Sequence, residues 1–350
     1  MSEKKRVQTG RTGISKMSDT NLLLLITVVV FIAMYAFAII FLKSGFLKPQ
    51  TFFNMLNANA ALIMTSCGMT LVMINGSIDI SVGGVVALVT MCCAVYLDFH
   101  NGSIAGSIVI ALLIGISYGV VQGFLVAYLE IQPFIVSLAG MFFARGMTTI
   151  VNTNPFNVVN EKFVALKATR IIVPGVGSVN KLGKYVNAYI EIGVVVALLA
   201  VILLFIFLKW TKYGRAFYAV GGNQQSALML GINVKRTKFM AHMMCSVLAG
   251  IGGFVYLLHV GSGSPSHASG MEMNAIAASI IGGTMLVGGV GNIIGTLFGV
   301  LSLSTIQNIV SSAGFDQAWW TGITVAIMLC LFLVVQSVII IMKEKQKDQS

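Results

Sequence analysis

Charged residues are scarce in this chain, and their scarcity excludes most classes of protein. Only 9% of the 350 residues are charged, against about 25% in an average soluble domain. Hydrophobic residues make up 57% of the chain, and the mean hydropathy is +0.91. No soluble fold could shield so much apolar surface from water, so a lipid bilayer must be the main solvent.

Familiar reaction motifs are also missing. The sequence contains no G-x-x-x-x-G-K-[ST] and no H-E-x-x-H, so we predict that the chain hydrolyses no nucleotide, holds no metal and has no catalytic residue. Its four histidines are scattered, and we expect them at span ends or in loops. A membrane hydrolase that pairs His259 or His267 with Ser262 or Ser264 is an alternative.

Cysteine is sparse and shows no paired spacing. The five cysteines form no C-x-x-C pair and lie within apolar runs, so neither a disulfide framework nor a zinc site is expected. We predict that they are small buried side chains.

What the chain has instead is a series of long apolar runs. A helix needs roughly 20 such residues to cross a membrane, and no sustained period-two alternation favours a β-barrel. The small-x-small sequence at 36–38 resembles a signal cleavage site, but apolar sequence continues to Leu42, which favours a permanent span. We therefore predict an all-α polytopic membrane protein with about ten transmembrane helices, at 22–42, 58–75, 80–97, 104–128, 133–151, 190–208, 239–260, 273–290, 292–312 and 319–342.

The net charge of +11 is distributed as the positive-inside rule requires. This argues against a nucleic-acid partner and for membrane lipid. Seven basic residues fall on one predicted side: Lys43, Lys48, Lys162, Lys167, Arg170, Lys181 and Lys184. Fourteen fall on the other: Lys4, Lys5, Arg6, Arg11, Lys16, Lys209, Lys212, Arg215, Lys235, Arg236, Lys238, Lys343, Lys345 and Lys347.

These patterns predict the organisation of the chain. Both termini are expected in the cytoplasm, with tails at 1–21 and 343–350 and a transmembrane domain at 22–342. Within that domain, 152–189 is expected outside the cell, as a loop or short re-entrant structure, and 209–238 in the cytoplasm. The cytoplasmic connection divides the spans into two halves of five. An internal duplication is a hypothesis supported only by equal spacing of two glycine pairs, Gly76 with Gly83 and Gly282 with Gly289.

Glycine also recurs at four-residue spacing in two of the predicted spans. This spacing places small residues on one helix face and lets backbones approach closely. We interpret both ladders as helix-packing positions: Gly115, Gly119 and Gly123, and Gly291, Gly295 and Gly299.

Polar residues at membrane depth require an explanation, because they are costly there. Asn75, Asp79 and Ser81 lie in a glycine-rich break between two spans. They either cap the following helix or line a polar pathway through the membrane.

Further along the chain, Arg145 either snorkels or pairs with a carboxylate such as Asp79. Glu272 and Asn274 stand at the start of the eighth predicted span, where a carboxylate is electrostatically favoured. We assign all six residues to a candidate translocation pathway.

The cytoplasmic connection carries signals for a short helix. Asn223 is a good N-cap and Gly231 a good C′ residue, and they bracket apolar residues that include Ala227, Leu228 and Leu230. A solvated loop would need none of these features. We predict a docking element.

Four ordered motifs resemble the membrane permeases of ribose-type sugar ABC importers, over about residues 22–342. The family pattern G-G-[IV]-D-L-S-V-G appears as G-S-I-D-I-S-V-G at 76–83, and T-L-x-x-M-x-x-x-R-G as S-L-A-G-M-F-F-A-R-G at 137–146. The cytoplasmic G-R-x-x-x-A-x-G-G-N pattern matches 214–232, and E-L-D-A-I-A-A matches from Glu272 onward. Three positions depart from the patterns: Ser77, Leu228 and Asn274.

The resemblance implies one permease subunit of a dimeric pore in the bacterial plasma (inner) membrane, importing a monosaccharide by alternating access. It implies a separate ABC ATPase that carries ATP and Mg²⁺, an extracytoplasmic sugar-binding protein, and a second permease, identical or different; no cofactor is expected on this chain. The coupling residues it implies are Gly214, Arg215, Ala219, Gly221, Gly222, Asn223, Ala227, Gly231 and Ile232.

Two aromatic sequences, at 142–143 and 319–321, look most like the galactofuranose-importer branch, where two different permeases pair. The alternative to an ABC permease is an ion-coupled secondary transporter of a small polar solute. It would use Asp79, Arg145 and Glu272 as a charge relay.

Overall fold

The computed structural model describes residues 19–42, 45–179, 185–314 and 317–348, and these form thirteen helices and four short strands. The helices are α1 (Asp19–Leu42), α2 (Pro49–Ile74), α3 (Val82–Phe99), α4 (Ile104–Ala127), α5 (Pro133–Val151), α6 (Glu161–Ala168), α7 (Ile192–Trp210), α8 (Lys212–Gly222), α9 (Gln224–Met229), α10 (Val234–Val260), α11 (Met271–Ile281), α12 (Ile293–Ser312) and α13 (Ala318–Asp348). The strands are β1 (Phe156–Asn157), β2 (Arg170–Val179), β3 (Tyr185–Glu191) and β4 (Ser262–Gly263).

Local sequence signals explain where the long helices begin and end. Proline occupies the first turn of α2 and of α5, where its missing N–H costs nothing. Ser103 accepts a hydrogen bond from the Gly106 N–H at the start of α4. Gly261 ends α10 in the left-handed conformation at φ 77°.

The all-α membrane architecture is confirmed. Among the described residues, eight helices are long and apolar enough to cross a membrane: α1 to α5, α7, α10 and α12. The tenth predicted span falls within α13, which has 31 residues. The basic residues of the predicted N-terminal tail, with Lys43, Lys181 and Lys184, lie outside the described residues.

The predicted eighth span at 273–290 is wrong. Its sequence forms the 11-residue helix α11, about 16 Å long, which is half the thickness of a bilayer core. Glycines end the helix: Gly283, Gly288 and Gly289 adopt φ values of 86°, 90° and 75°. Residues 282–292 form an irregular loop in place of the second half of the predicted span.

Helix α7, about 28 Å long, runs from one end of the bundle to the other. We call the end where α7 begins the hairpin end, because β2 pairs antiparallel with β3 there, and β1 with β4. The predicted polar segment 152–189 is therefore built from α6 and paired strands. The opposite end carries α8 and α9, and we call it the α8 end.

Helix α2 forms the centre of the bundle and is buried along most of its length. Its hydroxyl groups pair with those of neighbouring helices. Thr70 Oγ1 lies 2.6 Å from Thr296 Oγ1 and 3.1 Å from Ser279 Oγ. Such bonds are required because the interior offers no water to satisfy polar groups.

The first glycine ladder lies against α10. A Cβ at Gly119 would come within 2.7 Å of the Met243 Cα, and Gly115 and Gly123 face α10 equally closely. Gly295 and Gly299 pack against α11. Gly291 differs from the prediction, because it precedes α12 in the chain and faces Ile74 and Thr284.

The prediction that all cysteines are buried is wrong for Cys330, which is exposed on α13, and Cys92 is only partly buried. Cys67, Cys93 and Cys245 are buried. Because α13 exposes apolar side chains such as Ile327 and Leu331, an apolar run does not guarantee burial inside the protein.

Replacing Gly119 by Val should destabilise the α4–α10 contact by about 1–3 kcal/mol, because the added side chain overlaps backbone atoms. Thermal unfolding of the detergent-solubilised protein measures this as a lower midpoint. Gly146→Val is the matched control, since a Cβ at Gly146 would meet no atom within 4 Å. Equal losses in both variants would contradict the packing role.

Candidate functional site

The break between α2 and α3 lies inside the bundle. Gly76 turns the chain with φ 75°, and Asn75, Asp79 and Ser81 are almost completely buried. Asp79 lies opposite His242, the ninth residue of α10. That position is about 12 Å from the start of α10, so α3 begins well within the bundle.

Asp79 braces the turn that leads into α3. Its Oδ1 accepts hydrogen bonds from the Ser81 N–H at 3.0 Å and the Ser81 hydroxyl at 2.6 Å. Gln122 on α4 donates to the Ser81 Oγ at 2.8 Å. Ser81 is the N-cap residue but makes no side-chain capping bond, so Asp79 shapes the approach to the helix without capping it directly.

The second oxygen of Asp79 faces a histidine. His242 Nδ1 lies 4.0 Å from Asp79 Oδ2, and both side chains are buried. The prediction that the histidines lie at span ends or in loops is wrong for His242. His259 is in the last turn of α10, His100 follows the end of α3, and His267 lies in a loop.

Arg145 holds the segment that precedes α11. Its guanidinium donates to the carbonyl oxygens of His267 at 2.6 Å and Ala268 at 2.7 Å. Glu272 Oε2 lies 3.9 Å away, so the carboxylate partner of Arg145 is Glu272 and not Asp79. Burial lowers the pKa of His267, which keeps its ring neutral near pH 7.

Glu272 lies in the first turn of α11, as the helix-start signal predicts. It also contacts the first turn of α3, where a Cβ on Gly83 would overlap its carboxylate. Two helix N-termini therefore meet at one carboxylate, which their partial positive charges favour. Asn274 is partly buried in the same turn.

The predicted short helix of the cytoplasmic connection is present as α9. Asn223 Oδ1 accepts the Ser226 N–H at 2.8 Å, and Gly231 follows the helix at φ 77°. Ala227 is buried. Three successive apolar side chains are exposed beyond it: Leu228 at 63%, Met229 at 90% and Leu230 at 78%.

Helix α8 ends where the break between α2 and α3 meets the 282–292 loop. A Cβ on Gly221 would overlap the Ile74 carbonyl and come within 2.6 Å of the Gly289 nitrogen. The Gly289 N–H donates to the Ile74 carbonyl at 2.8 Å. We call this contact the glycine junction, formed by Gly76, Gly221, Gly222, Gly288 and Gly289.

A tyrosine strengthens the same contact. The Tyr218 hydroxyl on α8 donates to the Gly291 carbonyl at 2.9 Å, and burial raises its pKa to about 12. Helix α8 therefore touches the end of α2 and the loop before α12 together.

The other predicted coupling residues divide into two groups. Gly214 packs against the last turn of α7, Ala219 is partly buried, and the Ile232 N–H donates to the Ala227 carbonyl at 3.0 Å. Arg215, Gly222 and Gly231 are on the surface.

Sequence interpretation missed Tyr218, Gln122 and His242 as site residues. Their motifs carry no signal for them, because each acquires a partner only through the packing of distant segments. The sequence also contains a G-x-S-x-G spacing at 115–119. It lies within α4, where the Ser117 hydroxyl bonds the Leu113 carbonyl, so it is not a strand-to-helix nucleophile turn.

A cleft of about 410 Å³ opens at the hairpin end, and its lining does not include Asp79. Lys167, Arg170 and Glu191 contribute its charged lining. His259 Nδ1 lies 2.8 Å from Glu191 Oε2, and Lys167 donates to the Val260 carbonyl at 2.8 Å. These contacts tie the end of α10 to the polar segment.

Comparison with known proteins gives consistent results. The family described as "Branched-chain amino acid transport system / permease component" matches residues 51–333. The chain is 33% identical to the inner membrane ABC transporter permease protein YjfF of Escherichia coli K12 over 332 residues, covering 95% of this chain and 97% of that protein.

Two further relatives carry sugar names. The fructose import permease protein FruG of Bifidobacterium longum is 34% identical over 79% of this chain and 80% of its own length. The ribose import permease protein RbsC of Escherichia coli K12 is 31% identical over 84% and 88%. No solved structure matches the chain.

Arg145→Met should cost more stability than Glu272→Gln. The arginine makes two short hydrogen bonds to carbonyls, each worth about 1.5–3 kcal/mol as a charged donor, whereas the Glu272 carboxylate oxygen at 3.9 Å is too distant for a hydrogen bond. Thermal unfolding midpoints of the two purified variants give the comparison. A larger loss in Glu272→Gln would mean that the ion pair holds the segment.

Proposed function

Since the chain belongs to the family of ABC transporter permease components and is a member of its sugar importers, we propose that it translocates a monosaccharide into the cytoplasm. It does so as one subunit of a dimeric pore in a bacterial inner membrane. The observation that carries the proposal is the match to the fructose and ribose import permeases over 79% and 84% of this chain.

The substrate is proposed from these relatives. The family description names branched-chain amino acids, but fructose, ribose and xylose appear in the names of relatives that the chain matches over most of its length. We therefore favour a pentose or hexose. Galactofuranose stays a prediction within that class.

ATP is proposed to be hydrolysed on a separate ABC ATPase that binds Mg²⁺ and docks at the α8 end. Helix α9 offers the contact, because three exposed apolar side chains project beyond its capped first turn. A basic residue lies beside it, since Lys238 Nζ donates to Gln224 Oε1 at 3.1 Å. An apolar anchor inside a polar rim is the usual composition of a protein interface.

The glycine junction supports a coupling mechanism. Movement of α9 reaches α8 through the one residue between them, Asn223. Helix α8 has no side chain between its Gly221 backbone and the Ile74 carbonyl, so displacement of α8 presses on the end of α2 and on the 282–292 loop. In alternating access this displacement would open and close the pathway beside Asn75, Asp79, Ser81, Arg145, Glu272 and Asn274.

On the outer side, a sugar-binding protein is proposed to deliver the solute at the hairpin end. The charged cleft beside β2 and β3 offers polar contacts there. The second permease, identical or different, would complete the pore.

The ion-coupled alternative has less support from the geometry. Its relay requires Asp79, Arg145 and Glu272 to act in series. Asp79 faces His242, while Arg145 faces Glu272. The two carboxylates therefore face different side chains and do not form one relay.

Proteoliposomes test the function. The chain, reconstituted with its ATPase and binding protein, should take up a labelled pentose or hexose only when ATP is supplied. Uptake should stay unchanged when ionophores dissipate ion gradients. Uphill uptake by the chain alone, driven by an ion gradient, would overturn the proposal in favour of the secondary transporter.

The docking surface is tested by Met229→Asp, which places a charge at the most exposed apolar position of α9. We expect binding of the ATPase to weaken by about 30-fold or more, the loss typical of an interface hot spot. Gln225→Ala, on the same helix, should leave binding unchanged. Affinity is measured by titrating the purified ATPase onto the reconstituted permease.

The glycine junction is tested with two glycine variants. Gly221→Ala should reduce uptake sharply while ATPase binding persists, because the methyl group overlaps the Ile74 carbonyl. Gly146→Ala, outside the junction, should transport normally, since its Cβ would meet no atom within 4 Å. Transport assays and ATPase binding are measured on both. Normal transport by Gly221→Ala would refute coupling through this contact.

A further inference from the structure

His242 and Asp79 form a contact that the proposed coupling contacts do not include. His242 is fully buried on α10, and Asp79 is fully buried in the break between α2 and α3. The distance from His242 Nδ1 to Asp79 Oδ2 is 4.0 Å, which is too long for a hydrogen bond.

Both groups are unsatisfied at this distance. Asp79 Oδ1 has two donors from Ser81, but Asp79 Oδ2 has none among the described residues. Neither ring nitrogen of His242 has a hydrogen-bond partner there either. An unpaired buried polar group is unfavourable, and more so when it is charged. An arrangement in which the two groups meet would remove this cost.

Closing the contact requires a small displacement. A charge-assisted hydrogen bond has a heavy-atom distance of about 2.8 Å, so the groups need to approach by roughly 1 Å. Helix shifts of about 1–2 Å are typical of conformational switching.

The position of His242 connects it to the coupling helices. Helix α10 begins at Val234, shortly after α9 ends, and Asn233 caps it by accepting the Arg236 N–H. His242 is about 12 Å further along the same helix. The break is thus contacted by α8 at Ile74 and by α10 at Asp79.

The other groups around the pair are few. Lys238, one turn earlier on α10, interacts electrostatically with His242. Cys245, on the following turn, places its thiol near Asp79. Gln122 approaches from α4 but bonds Ser81. Among the described residues, Asp79 is therefore the one carboxylate that interacts electrostatically with His242.

We propose that His242 is a positioning residue of the transport cycle: it donates a hydrogen bond to Asp79 in one state and releases it in another. Movement of α10 is thereby passed to the break before α3. The inference rests on the proposed function, because it requires that ATP on a partner drives the movement of α10.

The experiment uses the complete transporter in proteoliposomes, with ATPase binding measured separately. His242→Leu, which removes the donor, and Asp79→Asn should each lower the solute imported per ATP hydrolysed by about tenfold, the equivalent of one charged hydrogen bond. The double variant should lose no more than either single variant, because both remove the same contact. Ser246→Ala is the matched control, because its buried hydroxyl on α10 has no partner among the described residues, and it should keep the wild-type ratio.

A second measurement follows the His242 ring directly and does not depend on transport by the variants. With ¹⁵N-labelled histidine, the ring signal of His242, assigned by its loss in His242→Asn, should differ between the nucleotide-free and the ATP-trapped complex. Asp79→Asn should abolish the difference. An identical signal in both states, or an unchanged import ratio in His242→Leu, would overturn this inference while wild-type uptake stands. Absence of ATP-driven uptake by the wild type would overturn the proposed function itself.

Discussion

The end of α8, the end of α2 and the loop before α12 meet at the glycine junction with no side chain between their backbones. The positions of the break after α2 and of the 282–292 loop depend on this close contact. The end of α2 leaves the Ile74 carbonyl without a helical partner, and the loop before α12 supplies the Gly289 N–H. In an apolar interior such groups must find partners within the protein. Because Gly221 lies against both, helix α8 becomes part of the core.

The same shortage of water explains the polar side chains. Carboxylates are placed where helix N-termini or cations can stabilise them: Glu272 beside Arg145 and the first turns of α3 and α11, and Asp79 beside the turn into α3. Each arrangement joins segments that are distant in sequence. The polar groups therefore hold the irregular segments in place, and the same positions are those that a pathway between the two halves would use.

In the proposed mechanism, work reaches these segments from the α8 end. The exposed side chains of α9 offer a surface to a partner, whereas Tyr218 and Gly221 of α8 offer backbone-close contacts to the interior. A rigid chain of contacts between a docking surface and a break in the membrane helices is the arrangement that an ATP-driven permease needs. Family membership supports the same conclusion from an independent direction.

The sequence by itself determined the membrane class, most of the spans, the capped helix α9 and the helix-start position of Glu272, because these depend on composition and on neighbours within one or two turns. It misjudged the segment 273–290, whose apolar residues suggested a span although four glycines between 282 and 289 end the helix early. It could not identify the partners of Arg145, Asp79 and Gly221. Those partners lie on other helices, and only the tertiary packing decides which backbone carbonyl or side chain fills each place. The physical reason is that hydropathy and capping act over a few residues, whereas satisfaction of buried polar groups is settled by contacts more than a hundred residues apart.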